Sequence, residues 1–103
     1  MRFAVVLAPE AARALAALPA YHRAQVRDAV EAHLRHEPTR VSRSRIKRLR
    51  GVVRPQYRLR VGEVRVFYDV TDEAVEVLAI VSKAEATRWL EAHGAGEPPG
   101  GAG

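Results

Sequence analysis

Residues 57–70 read Tyr57-Arg58-Leu59-Arg60-Val61-Gly62-Glu63-Val64-Arg65-Val66-Phe67-Tyr68-Asp69-Val70. Apolar and polar side chains alternate on both sides of Gly62-Glu63, with Phe67 the one apolar residue on the polar face. Period two is the signature of a strand with one face buried. Two such runs separated by a Gly-containing pair predict an antiparallel hairpin. A two-residue loop pairs Val61 with Val64, Arg60 with Arg65 and Leu59 with Val66, and paired residues share a face. Arg58, Arg60 and Arg65 are therefore expected to crowd one patch, with Val64, Val66, Tyr68 and Val70 on the other face. Tyr68 is expected in the core. Like charges facing each other across strands are destabilising, and a bound anion would neutralise them. Guanidinium groups hold phosphate bidentately and stay charged at any physiological pH.

Working outward, Thr71-Asp72-Glu73 is a turn. Residues 75–82 form a third strand, apolar on both faces at its end and so covered on both sides. Lys83 to His93 reads as a short helix anchored by Trp89. Gly94 to Gly103 carries five glycines and two prolines in ten residues. It is expected to be a flexible tail outside a single domain of residues 1–93. Upstream, residues 2–8 are a strand, residues 10–18 a helix ended by Pro19, and residues 21–36 a second helix stopped at Glu37-Pro38. Residues 39–54 are polar and basic until Ile46 and Leu49, and read as a loop or a short helical turn closed by Gly51. The order is β-α-α-β-β-β-α. The expected class is α+β, with the helical hairpin packed on one face of a small antiparallel sheet.

The chain has 103 residues, 17 Lys+Arg against 12 Asp+Glu, and no cysteine. A disulfide framework, a thiol nucleophile and a Cys-based zinc site are thereby excluded. No apolar run reaches the roughly 18 residues of a membrane span, and a cytoplasmic protein is expected. Residues 40–65 hold ten basic residues and one acid, Glu63, a charge of +9 against +5 for the whole chain. So focused a positive field suits a polyanionic partner. His33 and His36 stand at helical spacing with no third ligand placed beside them, so no metal site is expected.

The segments Lys47-Arg48-Leu49-Arg50-Gly51, Tyr57 to Val70 and Val75 to Ala86 follow a helical hairpin and an N-terminal strand. Together they resemble the RelE/ParE family of bacterial toxins, the toxin halves of type II toxin–antitoxin pairs, over residues 1–91. The resemblance implies the RelE-like fold and no cofactor. It also implies a cognate antitoxin bound in a hetero-oligomer. Its RelE branch consists of metal-independent mRNA endoribonucleases that act in the ribosome. Matched residue by residue, that branch implies Arg58, Arg60, Arg65 and Lys83 as catalytic groups holding phosphate and stabilising its transition state. Arg43, Arg45, Lys47, Arg48 and Arg50 would contact ribosomal RNA. A tyrosine or histidine usual near the final helix is missing here, Trp89 standing close to that position. Glu85 is left as a candidate general base. The ParE branch shares the fold and acts on a protein, DNA gyrase. A non-nuclease toxin of that kind, or a weakened one serving as an antitoxin-bound corepressor, is the alternative. On repulsion alone, a variant lacking Arg65 should fold at least as stably as the parent.

Overall fold

A computed structural model describes residues 2–96. The elements are β1 (Ala4–Leu7), α1 (Pro9–Ala17), α2 (Ala20–Ala29, continued by a π-helical turn over Val30–Leu34), β2 (Ile46–Arg48), β3 (Val52–Arg54), β4 (Tyr57–Val61), β5 (Val64–Val70), β6 (Ala74–Ser82), α3 (Lys83–His93) and β7 (Ala95–Gly96). Pro9 opens α1, where its missing N–H has no intrahelical partner to lose. Leu18, before Pro19, is extended and separates the two helices.

Five strands form one sheet in the order β1-β6-β5-β4-β2. The pairs β2–β4, β4–β5 and β5–β6 are antiparallel, while β1 runs parallel to β6. The β4–β5 register is the one the alternation predicts: Val61 opposite Val64, Arg60 opposite Arg65, Leu59 opposite Val66. Gly62 turns the chain at φ +56, a conformation that glycine adopts without a Cβ penalty. The β5–β6 register shifts between Phe67 and Tyr68, which pair with Ala79 and Val77. This extra residue on β6 keeps Val75, Val77 and Ile80 all on the core face.

The helical hairpin covers that face. Ala11, Leu15, Val26 and Leu34 pack against Leu59, Val66, Tyr68, Val75, Val77 and Ile80. Tyr68 is wholly buried, and its hydroxyl donates to the Pro38 carbonyl at 2.7 Å. On the other face lies α3, whose Trp89 ring stacks on Phe67 at 5.1 Å and 8°. Strand β6 is thus covered from both sides, and Trp89 is the expected anchor. The α+β class and the hairpin-on-sheet packing stand as expected.

Three expectations are corrected. The sheet is mostly rather than wholly antiparallel, because β1 joins its edge in parallel. The 39–54 segment is more than a loop: Ile46 drops into the core and sets β2 beside β4. Lastly, Ala95 and Gly96 pair with Arg54 and Val52, so the chain after α3 takes part in the fold at least this far. The remainder of the expected tail, residues 97–103, lies outside the described residues.

Candidate functional site

The face opposite the helical hairpin carries the basic strand positions. Lys47 pairs with Arg58, and Arg60 with Arg65, so four cations share one face of β2, β4 and β5. Their environments differ. Arg60 is exposed. Arg58 is half-buried beside its cross-strand partner Phe67, and its Nε is buried with no hydrogen-bond partner among the described residues. Burial, and then the charges of Arg65 and Arg60, lower the Arg58 pKa from its ordinary value. A buried N–H without a partner is costly, and a bound anion would satisfy it.

Arg65 differs from the other two arginines of the patch. It is only 6% exposed. Its Nη1 donates to the carbonyls of Gly62 at 2.8 Å and Val64 at 3.1 Å. The guanidinium folds back on the hairpin turn, whose carbonyl dipoles offset its proximity to Arg60. Stability and positive field therefore come from the same side chain.

Lys83 starts α3, and its backbone N–H donates to the Glu63 carbonyl at 2.7 Å, which seats the helix beside the hairpin turn. Its side chain is exposed. Glu85 is also exposed and is tied to Ser82, the N-cap of α3. The Ser82 hydroxyl accepts from the Glu85 N–H at 3.3 Å and donates to its carboxylate at 3.0 Å. The Ser-x-x-Glu spacing of residues 82–85 was a legible signal for this role.

The segment before β4 is divided. Arg43, Arg45 and Arg50 are exposed, with no side-chain hydrogen bond to the described residues, and Lys47 is exposed on the arginine face. Arg48 donates to the Gln56 carbonyl at 2.7 Å and lies over the Tyr57 ring, 5.2 Å from its centroid, a structural use of that charge. Arg40 pairs with Glu37 at 3.0 Å. Arg54 pairs with Asp69 at 2.7 Å and Glu76 at 3.4 Å. These ties reduce the cations free to meet a ligand. Tyr68 lies in the core, and burial, with Tyr57 beside it, pushes its hydroxyl pKa well above the ordinary value. Among the described residues, no group of three His, Asp or Glu side chains could hold a metal ion, and no helix is long and apolar enough to cross a membrane.

A helical hairpin on a five-stranded sheet, with arginines on the opposite face, defines a small basic α+β domain. The family model of the ParE toxin of type II toxin–antitoxin systems matches residues 5–87, and the chain belongs to that family. It is the toxin of a type II toxin–antitoxin module. Three solved structures are similar. A chain of the toxin–antitoxin complex RelBE2 from Mycobacterium tuberculosis has TM-score 0.68 and 27% identity, covering 80% of this chain and 99% of that one. A chain of the archaeal RelE–RelB complex from Pyrococcus horikoshii has TM-score 0.61 and 27% identity, covering 81% and 97%. A chain of the RelB–RelE complex from Methanococcus jannaschii shares the fold at TM-score 0.63 and 17% identity, covering 82% and 96%. Comparison with curated proteins gives no match.

Proposed function

We propose that this toxin is a metal-independent, ribosome-dependent mRNA endoribonuclease that blocks translation in the cytoplasm and is held inactive in a hetero-oligomer with a cognate antitoxin. The observation that carries this reading is Arg58: a half-buried guanidinium with an Nε unpartnered among the described residues, between Lys47 and Arg60 on one face. A phosphodiester is the ligand such a face fits. In the reaction, the ribose 2′-oxygen attacks the adjacent phosphorus and the P–O5′ bond breaks, leaving a 2′,3′-cyclic phosphate and a 5′-hydroxyl. One proton leaves the 2′-oxygen and one reaches the 5′-oxygen. Arg58 and Arg60 hold the phosphate. Arg65, fixed by two carbonyls, supplies charge that needs no reorganisation as the phosphorane forms. Lys83 adds charge from the α3 terminus, and Glu85 beside it is the candidate base. Arg43, Arg45, Lys47 and Arg50 meet the RNA of the ribosome or of its message, with Arg48 contributing less because its guanidinium is engaged.

A second reading is favoured by a specific observation. Glu85 is held by Ser82 and Tyr68 by the core, which leaves the face poor in groups that move protons. A toxin of that kind acts through a protein such as DNA gyrase. Adding the purified toxin to translating ribosomes and mapping mRNA ends decides between them. New ends with 2′,3′-cyclic phosphates support the nuclease. Intact mRNA together with inhibited gyrase supercoiling replaces it with the second reading.

A further inference from the structure

On the helical-hairpin side of the molecule, a cleft of about 320 Å³ opens between the end of α2 and the segment leading into β2. Its walls include His33, Arg40, Ser42, Ser44 and Arg45. A second cavity, about 380 Å³, shares His33 and Arg45 with the first and continues past the β4–β5 turn to Arg60. Together the two hollows run from the hairpin side round the sheet edge to the arginine face.

The groups in this track are unevenly satisfied. Arg40 is paired with Glu37. The Ser42 hydroxyl oxygen accepts the N–H groups of Arg45 and Ile46 at 3.1 and 3.3 Å, so its own proton remains free to donate. The Arg45 guanidinium and the half-buried His33 imidazole have no hydrogen-bond partner among the described residues. Burial first, and the Arg45 charge second, lower the His33 pKa from its ordinary value. The other charged groups facing this track are Asp28 on α2, Glu37 after it, Arg40, and Arg60 on β4. An anion between His33 and Arg45 would offset the repulsion between them and give both side chains an acceptor.

We infer that this cleft is a second phosphodiester site, in which the RNA backbone sits between Arg45 and His33 before following the track to Arg60 and the arginine face. The inference rests on the reading of the toxin as one that acts on RNA, and it adds to it a strand path and a histidine ligand. A neutral imidazole takes up a proton as the diester binds, so affinity is coupled to pH. It is highest below the pKa of free His33, declines as pH rises through the pKa values of the free and bound forms, and is lowest above both. A phosphodiester has no proton to lose in this range, so the dependence belongs to the protein.

The test uses the whole toxin and a short single-stranded 2′-O-methyl RNA, which carries phosphodiesters but no attacking 2′-hydroxyl. Affinity is measured by anisotropy between about pH 5 and 8, with the His33 ring followed by NMR. The expected result is binding that tightens as pH falls, by up to tenfold per unit, with His33 resonances moving on addition of RNA and its pKa rising. His33→Gln should flatten the pH dependence. Arg45→Gln should weaken binding and reduce the salt slope by about 0.7. Arg58→Gln should weaken binding but leave the pH dependence in place. Unmoved His33 resonances, an unchanged pH profile in His33→Gln, or no binding by the parent would overturn the inference. Messenger RNA cleavage on ribosomes is measured in parallel. Cleavage with a silent His33 removes the cleft and leaves the nuclease, whereas His33-dependent binding without cleavage removes the nuclease and leaves the cleft.

Discussion

Arg65 is where strand alternation and tertiary packing disagree. Repulsion with Arg60 predicts that removing it is harmless to the fold, yet the buried guanidinium donates to Gly62 and Val64. Hydrogen bonds from a charged donor contribute about 1.5–3 kcal/mol each, partly offset here by the relieved repulsion. Arg65→Ala is therefore expected to lower stability by about 1–3 kcal/mol in urea denaturation, and to reduce cleavage on ribosomes by about 10²–10³ in rate. Arg65→Lys separates the two effects: it keeps the charge and loses the guanidinium geometry. Full cleavage by Arg65→Ala would remove this residue from the catalytic set. Tyr68→Phe leaves the buried Pro38 carbonyl without its donor and should cost about 1–3 kcal/mol. Toxicity should persist wherever the variant stays folded, since Tyr68 lies on the core side.

At the scale of elements, α3 depends on a few contacts: the Ser82–Glu85 cap, the Trp89 stack on Phe67 and the β3–β7 pairing beyond its end. Glu85→Gln keeps a side-chain oxygen to accept from the Ser82 hydroxyl while removing the carboxylate. It should leave thermal stability nearly unchanged, and a large loss of cleavage would mark Glu85 as the base. Ser82→Ala should cost about 0.5–2 kcal/mol, read as faster amide hydrogen exchange across α3. Gly94 is tight for a different reason. A Cβ there would stand 2.6 Å from the Leu90 carbonyl oxygen and 3.3 Å from Val52 Cγ1. Gly94→Ala should loosen the end of α3 and raise exchange at Val52 and Arg54, while the β4–β5 hairpin stays protected.

For the whole molecule, the charge of residues 40–65 acts on encounter with a polyanion. Arg43, Lys47 and Arg50 lie outside the ion pairs and carbonyl contacts that engage Arg40, Arg48 and Arg54. Reversing all three to Glu should weaken ribosome binding and flatten its dependence on salt, since fewer counterions are released. Stability should change by no more than about 0.5 kcal/mol per position. An unaltered salt slope would show these charges to be a solvated face.

The sequence by itself determined the parts of this protein that a local period encodes. The alternation of residues 57–70 and the glycine at 62 sufficed for the hairpin register, the shared face of Arg58, Arg60 and Arg65, and the burial of Tyr68. Each of these depends on neighbours a few positions away. The helical hairpin was legible for the same reason, from apolar spacing between Pro9, Pro19 and Pro38. Tertiary structure decided what has no period. Ile46 stands between Arg45 and Lys47 in a stretch without apolar period, and it becomes part of a strand only because β4 offers an unpaired edge. Ala95 and Gly96 carry almost no side-chain signal and are ordered by the backbone of β3. The Arg65 guanidinium could point to solvent or fold back, and the carbonyls of its own turn decide it. His33 and Arg45 lie on separate segments, and only the packing of α2 beside the entry to β2 makes them walls of one cleft. Local pattern encodes which face a residue takes, whereas its chemical environment is set by contacts between distant parts of the chain.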